Sequence, residues 1–162
     1  MGVYEAKITW ERGDQPFLDK RYSRAHSWTF DGGAVVPGSS SPAGVPVPLS
    51  DASAVDPEEA MVASLSSCHM LWFLAFAANA GLVVDSYRDA ASGELDKNAA
   101  GARYLARVAL RPVTAFSGRQ PDQAELDALH HSAHEHCEMA HSVRAEITID
   151  ATIGYVGSGG RG

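Results

Sequence analysis

The chain has 162 residues, enough for one domain with a real core. Its formal net charge of -7, without a basic block, argues against nucleic acid or an anionic membrane as a partner. The first ten residues alternate like a strand and lack the layout of a signal peptide, so we expect a cytoplasmic protein. Two cysteines in a reducing compartment do not form a disulfide framework, so each is a buried small side chain or a reactive thiol.

The first third of the chain predicts an antiparallel meander followed by a loop. Apolar and polar side chains alternate from residue 4 to residue 10, and a second strand is expected at residues 26–30. Residues 31–33, Asp-Gly-Gly, precede three small apolar residues and predict a tight hairpin. Proline, glycine and serine dominate residues 37–53, which predicts a loop without regular structure.

Residues 57–81 predict a long helix with Cys68 near its middle. Asp56 and Glu59 supply a capping box around Pro57, and Gly81 is a left-handed stop. The helix is apolar all round, so we expect it to be buried on most sides. A membrane span is disfavoured by its polar residues, its acidic flanks and the lack of a Lys/Arg cluster. One small domain offers little cover for such a helix, which points to a dimer.

The rest of the chain predicts strands and a second helix. We expect an extended segment over residues 82–95 with a bend at Gly93, a strand over residues 104–111, and a final strand over residues 144–152. The second helix starts at Pro121, and its buried stripe contains Leu126, Leu129, Ala133, Cys137 and Ala140. This order of elements predicts an α+β fold. Residues 1–153 are expected to form one domain, and residues 154–162 a glycine-rich disordered tail.

The two cysteines, one on each predicted helix, form the candidate site. A pair that meets only through tertiary packing suits a two-thiol redox cycle, while two independent core thiols are the alternative. The thiolate is the nucleophile, and an ordinary thiol with a pKa of about 8.5 needs a nearby cation to form it at neutral pH. Arg21 and Arg24 are the candidate cations for Cys68, and Glu58 or Glu59 could pair with a buried arginine. Alternatively, Glu58 only favours the helix dipole and both arginines are solvated.

Four ordered motifs resemble the OsmC/Ohr family of thiol-dependent hydroperoxide reductases. Residues 57–81 resemble its cysteine helix, in which a Pro-Glu pair is followed ten residues after the Glu by cysteine. The segments YSRAH with the following DGG, DSYRDAASGEL and AHEHCEMAHSV resemble its arginine segment, the strand after its helix and its second-cysteine motif. The resemblance covers roughly residues 4–153, and the Ala-His-Glu-x-Cys setting is closer to the OsmC-like branch than to Ohr proper.

The resemblance implies a role for four residues. Cys68 would be the peroxidatic thiol and Cys137 the resolving thiol, with Arg24 as the activating arginine and Glu58 as its carboxylate partner; Arg21 is the alternative to Arg24. An organic hydroperoxide would be reduced through a Cys68 sulfenic acid and a Cys68–Cys137 disulfide, without cofactor or metal. An external thiol, such as a lipoyl dithiol, would then reduce the disulfide. The implied fold is an intertwined homodimer with long central helices and antiparallel sheets outside.

Two further features bear on that reaction. The apolar surroundings of Cys68 favour an organic or lipid hydroperoxide over hydrogen peroxide. Glu138, which follows the second cysteine, departs from the family pattern. A carboxylate beside the resolving thiol is expected to raise the pKa of that thiol if it is buried.

The histidines suggest other classes of protein. Four possible metal ligands fall on one stripe of the predicted second helix: His130, His134, Cys137 and His141. The first and last are about 16 Å apart on a straight helix, so we expect partly exposed histidines, with a two-histidine metal site as an alternative. His69 points about 100° away from Cys68 and is not expected to act as its base. A non-enzymatic binding module for an apolar ligand is the other alternative.

Overall fold

The computed structural model describes residues 2–154 and divides the chain into two compact units, Met1–Ala60 and Met61–Gly162. Residues 155–162 of the predicted disordered tail lie outside the described residues. Gly154, predicted as the first residue of that tail, donates its backbone N–H to the Thr114 carbonyl at 2.9 Å.

The first unit contains the predicted meander. Three strands, β1 (Ala6–Thr9), β2 (His26–Phe30) and β3 (Val35–Gly38), form one antiparallel sheet in the order β1-β2-β3. Gly33 allows the hairpin turn because its φ is +86°. The sheet confirms the prediction, although β3 includes two residues that the sequence assigned to the loop.

The long helix α1 (Pro57–Asn79) begins at the predicted residue and ends two residues before Gly81, the predicted stop. At its start, the Glu59 N–H donates to Asp56 Oδ1 at 2.8 Å, and the Asp56 N–H donates back to Glu59 Oε2 at 3.1 Å. At its end, Gly81 has a φ of +73°, and the Leu82 N–H donates to the Ala77 carbonyl at 3.0 Å. These contacts are a capping box and a Schellman motif.

The burial of α1 differs from the prediction. A single stripe with a spacing of four residues is buried: Leu65, His69, Phe73 and Ala77. Elsewhere Met61 is 43% exposed and Leu71 is 61% exposed, so burial on most sides is wrong for this single chain. By length and composition α1 would also pass for a membrane span, a weak signal that core helices of soluble proteins share.

The second unit adds six strands and two helices. They are β4 (Val83–Asp89), β5 (Ser92–Lys97), β6 (Arg103–Leu110), β7 (Pro112–Ser117), α2 (Gln123–His136), α3 (Glu138–Ser142), β8 (Glu146–Ile149) and β9 (Thr152–Ile153). The strands form two sheets with orders β4-β7-β9 and β5-β6-β8. The β4–β7 and β5–β6 pairs are antiparallel, whereas β7–β9 and β6–β8 are parallel. The predicted α+β class is confirmed, but the parallel pairs were not predicted.

Three boundaries in this unit correct the sequence-based assignment. The extended segment 82–95 is two strands of different sheets, separated at residues 90–91. β7 was missed because Pro112 looks like the end of a strand, yet here it is the first residue of one. The predicted final strand is interrupted at Asp150, whose N–H donates to the Leu110 carbonyl at 3.0 Å.

Two apolar clusters lie along α1. One surrounds Phe73 and includes Leu126 and Leu129 of α2. The other surrounds Leu65 and contains β6 residues. Gly93 of β5 lies so close to this second cluster that a Cβ there would be 2.6 Å from Val62 Cγ2. The clusters fix the face of α1 that the core covers, and with it the direction in which Cys68 points.

Candidate functional site

Cys68 lies on α1 beside the buried stripe and is partly exposed. Its Sγ donates a long hydrogen bond of 3.5 Å to Glu138 Oε2. The same oxygen accepts a hydrogen bond of 3.0 Å from Trp72 Nε1, one turn along α1. Carboxylate, indole and thiol therefore form one hydrogen-bonded group.

Cys137 lies at a break between two helices rather than within one. Its backbone is extended, with φ -75° and ψ 107°, so that it ends α2 and caps α3. The predicted continuous helix through Ala140 is therefore wrong, although Cys137 is buried as predicted, with 1% of its surface exposed. The Ala140 N–H donates to Cys137 Sγ at 3.4 Å, and both cysteines are free thiols.

The surroundings of Cys68 favour its protonated form. Burial raises the pKa of Cys68 to about 11, and the Cys137 thiol and the Glu138 carboxylate also raise it, against a lowering by the Met139 backbone amide. Cys68 contacts Glu138, the residue that follows Cys137, so the structure places the two predicted thiols near each other. At pH 7 Cys68 is a thiol in these surroundings.

Glu138 differs from its predicted role. We expected this carboxylate to act on the resolving thiol, but its oxygen accepts the hydrogen bond of Cys68. It is exposed, and hydrogen bonds from Trp72, its own backbone amide and Cys68 hold its pKa below the usual value. The carboxylate is therefore charged at neutral pH, next to Cys68.

Arg24 of the first unit makes contacts with its own segment. Its guanidinium donates to the carbonyls of Lys20, at 2.9 Å, and Tyr22, and it lies 4.0 Å from the centroid of the Tyr22 ring. Glu58 is exposed in the first turn of α1. Between residues 2 and 154 the ion pairs are Arg107 with Glu94 and Asp96, and Arg119 with Glu125, so Arg24 and Glu58 do not pair there.

An aromatic group lies next to Glu138. The rings of Trp72 and Phe76 are stacked at 5.8 Å between centroids, and the His136 ring lies 5.3 Å from the first and 5.0 Å from the second. Trp72 therefore joins an apolar surface to the carboxylate that contacts Cys68.

Two buried histidines form a pair that the sequence analysis missed. His69 Nε2 and His130 Nδ1 are 2.9 Å apart, the rings lie within 7° of parallel, and only 1% and 2% of the two residues is exposed. The His130 ring also stacks on Phe73, with 4.2 Å between centroids. Burial lowers the pKa of each histidine to about 4, so both are neutral at pH 7.

The signal for this pair was the helical spacing. His69 falls between Leu65 and Phe73 on a stripe with period four, and His130 falls within the predicted apolar stripe of α2. The expectation of a partly exposed histidine is therefore wrong for His130. Within residues 2–154 the structure contains no group of three His, Cys, Asp or Glu side chains that could hold a metal ion.

The fold and the site define a class of α+β protein with one free thiol on a long helix and a second thiol beside it, at a break between two helices. A family model described as OsmC-like protein matches residues 50–152. A search of curated proteins finds no match.

Similar structures come from several bacteria. A Vibrio cholerae OsmC-like protein of unknown function is 49% identical, with a TM-score of 0.91 over 94% of this chain and 100% of that chain. An organic hydroperoxide resistance protein of Elizabethkingia anophelis is 16% identical, with a TM-score of 0.70 over 96% of this chain and 97% of that chain. The organic hydroperoxide resistance protein OhrB of Bacillus subtilis is 15% identical, with a TM-score of 0.59 over 94% and 98%.

The chain belongs to the OsmC-like family, as the matches in sequence and structure show. This confirms the resemblance found in its four sequence motifs.

Proposed function

We propose that the protein reduces organic hydroperoxides to alcohols with Cys68 as the peroxidatic thiol and Cys137 as the resolving thiol. The observation that carries the proposal is the pairing of two free thiols, one partly exposed and one buried, close enough for Cys137 to act on the pKa of Cys68. Membership of the OsmC-like family and the likeness to proteins named for organic hydroperoxide resistance support it.

The proposed reaction has three steps. The Cys68 thiolate attacks the terminal oxygen of the hydroperoxide, the O–O bond breaks, and the alkoxide takes up a proton to leave as alcohol. The resulting Cys68 sulfenic acid reacts with Cys137, forming a disulfide and releasing water. An external dithiol, such as a lipoyl group, then reduces the disulfide and is itself oxidised.

The first step needs a cation near the sulfur. With a pKa of about 11 for Cys68, only about one molecule in ten thousand carries the thiolate at pH 7. We therefore retain the assignment of Arg24 as the activating arginine and Glu58 as its carboxylate partner, with Arg21 as the alternative. A guanidinium stays charged in any surroundings, which suits that task.

Two features support the choice of substrate and assembly. The aromatic group of Trp72 and Phe76 offers an apolar surface near Cys68, which suits the organic part of a hydroperoxide. Met61 and Leu71 are apolar and exposed on α1, which supports the proposed homodimer.

We place this activity in the cytoplasm, with no metal or cofactor and no nucleic acid or membrane partner.

Thiol counting tests the proposed reaction. The reduced protein is incubated with one equivalent of cumene hydroperoxide, and its free thiols are counted with a colorimetric reagent. We expect the loss of two thiols and a peptide linked by a Cys68–Cys137 disulfide in the mass spectrum. Cys68→Ser should lose no thiol, and Cys137→Ser should hold a sulfenic acid at Cys68 that dimedone traps. Full retention of both thiols would instead favour the binding module for an apolar ligand.

Matched substitutions test the assignment of the arginine. Arg24→Ala should slow thiol oxidation by cumene hydroperoxide at least tenfold, whereas Arg21→Ala should leave the rate within about twofold. The reverse result would give the role to Arg21. Equal rates in both variants and the unaltered protein would exclude both residues.

A further inference from the structure

We propose that Glu138 is a specificity-determining residue of the Cys68 site, whose carboxylate favours neutral and cationic reactants over anionic ones. This inference rests on the proposed function only where it names hydroperoxides as the reactants. The substrate class it defines is an organic hydroperoxide with no anionic group near its O–O bond.

The geometry places a fixed negative charge beside the reacting sulfur. Glu138 Oε2 accepts from Cys68 Sγ at 3.5 Å and from Trp72 Nε1 at 3.0 Å, so the indole holds this oxygen against the thiol. The Trp72 ring is itself packed against both Phe76 and His136. A reactant that approaches the sulfur must therefore pass close to a carboxylate of defined position.

Three other titratable groups lie near this charge. His141 is the titratable group of α3 that acts on Glu138, and His136 lies against the Trp72 ring. Among the groups that act on the pKa of Cys68, Glu138 is the carboxylate. The Cys137 thiol, which also raises the pKa of Cys68, is buried.

The charge has a measurable consequence. A unit charge about 4 Å away in water changes the local concentration of a monovalent reactant by about fivefold, upward for a cation and downward for an anion. Cationic and anionic reagents of the same size should therefore differ in rate by roughly ten- to thirtyfold at low salt. Loss of the charge should also lower the pKa of Cys68, because the hydrogen bond to Glu138 favours the thiol.

The test uses two methanethiosulfonate reagents of similar size, one carrying trimethylammonium and the other sulfonate. The reduced protein is treated with each reagent at pH 8.5 and low salt, and modification of Cys68 is followed by peptide mass spectrometry. We expect the ratio of the cationic to the anionic rate to be at least tenfold higher for the unaltered protein than for a free small thiol. Glu138→Gln should bring this ratio close to the ratio for a free thiol and raise the rate with neutral iodoacetamide.

Glu135→Gln is the matched control, since it removes the same charge from an exposed residue on the preceding helix. It should retain the ratio of the unaltered protein. An unchanged ratio in Glu138→Gln, or an equal fall in both variants, would overturn the proposal. Gln keeps an oxygen that can accept from Trp72 Nε1, and circular dichroism checks the fold.

Salt provides a second test that needs no variant. The ratio for the unaltered protein should fall several-fold between about 0.01 M and 1 M NaCl, because salt screens an exposed charge. A ratio that is independent of salt would contradict the role of Glu138. Neither experiment uses a peroxide, so each tests the role of Glu138 independently of the proposed function. If the protein shows the charge selectivity but cumene hydroperoxide does not oxidise its thiols, only the proposed function is rejected.

Discussion

The buried histidine pair predicts that the protein loses stability as the pH falls from 7 to 4. His69 and His130 share one ring-to-ring hydrogen bond, and within residues 2–154 no atom forms a hydrogen bond with His69 Nδ1 or His130 Nε2. A first proton would enter at one of these two nitrogens and bring a charge into the core. A second proton would set two N–H groups against each other and break the hydrogen bond. Both events disfavour the folded state.

The magnitude follows from the pKa values. Each histidine has a pKa lowered from 6.5 to about 4, mainly by burial, so the unfolded chain binds more protons between those two values. The contribution of the two neutral histidines to the free energy of unfolding is therefore fully present above pH 6.5, and it decreases as the pH falls toward 4. The difference between these two pKa values corresponds to about 3 kcal/mol for one histidine. Protonation of the pair should therefore lower the free energy of unfolding by at least this amount.

Nearby charged groups change the size of the two pKa shifts but not their direction. His134 lowers the pKa of His69 further, and Asp89 opposes that effect. For His130, the charge of His69 lowers the pKa and Asp127 raises it. In both histidines burial is the largest cause, so the direction of the pH dependence is set by the core and not by the surface charges.

Urea unfolding at pH 7, 6, 5 and 4, followed by circular dichroism at constant protein concentration, measures the effect. Carboxylates also titrate in this range, so the informative quantity is the difference from a variant with both histidines replaced by leucine. Replacement of both partners by apolar groups avoids an unpaired buried nitrogen. His131→Leu, at an exposed neighbouring position, should keep the full pH dependence. If the free energy of unfolding changes with pH in the same way in the unaltered protein and in the double variant, the reasoning is refuted.

Three substitutions test the packing and the cap of the long helix. Phe73→Ala should cost about 3 to 5 kcal/mol of unfolding free energy, because the ring is fully buried and stacks on His130. Gly93→Ala should cost about 1 to 3 kcal/mol, since its new Cβ would lie 2.6 Å from Val62 Cγ2. Asp56→Ala should cost about 1 kcal/mol by removing the cap of α1. Urea unfolding at pH 7 measures all three, and a change below about 0.5 kcal/mol would contradict the corresponding contact.

The elements that the sequence predicts well are those set by residues close in the chain. The start and end of α1 depend on Asp56, Glu59 and Gly81, all within a few residues of the helix ends. Strand β2 matches its prediction at both ends, because alternation and the following Asp-Gly-Gly turn define it locally. The positions of Cys68 and Cys137 near each other follow from the family motifs rather than from any local pattern.

The remaining features depend on residues far apart in the chain. Strand β7 forms because it pairs with β4 and β9, and no local sequence pattern near Pro112 predicts this pairing. The apolar spacing of α2 continues through Cys137 into α3, so the spacing of the apolar residues does not predict the helix break. Glu138 faces Cys68 only because of that break: on a continuous helix its direction would differ.

The electrostatics of the site make the cation the deciding element of the proposed function. Within residues 61–154, burial, Cys137 and Glu138 raise the pKa of Cys68, and the Met139 amide lowers it. The sum favours a thiol, and the charge of Glu138 adds to the cost of forming a thiolate. A peroxidase that works at neutral pH must offset this with a positive charge, which the proposal assigns to Arg24. Removal of Glu138 should therefore partly restore the rate that Arg24→Ala loses, and a double variant no faster than Arg24→Ala alone would show that the two charges do not act on the same sulfur.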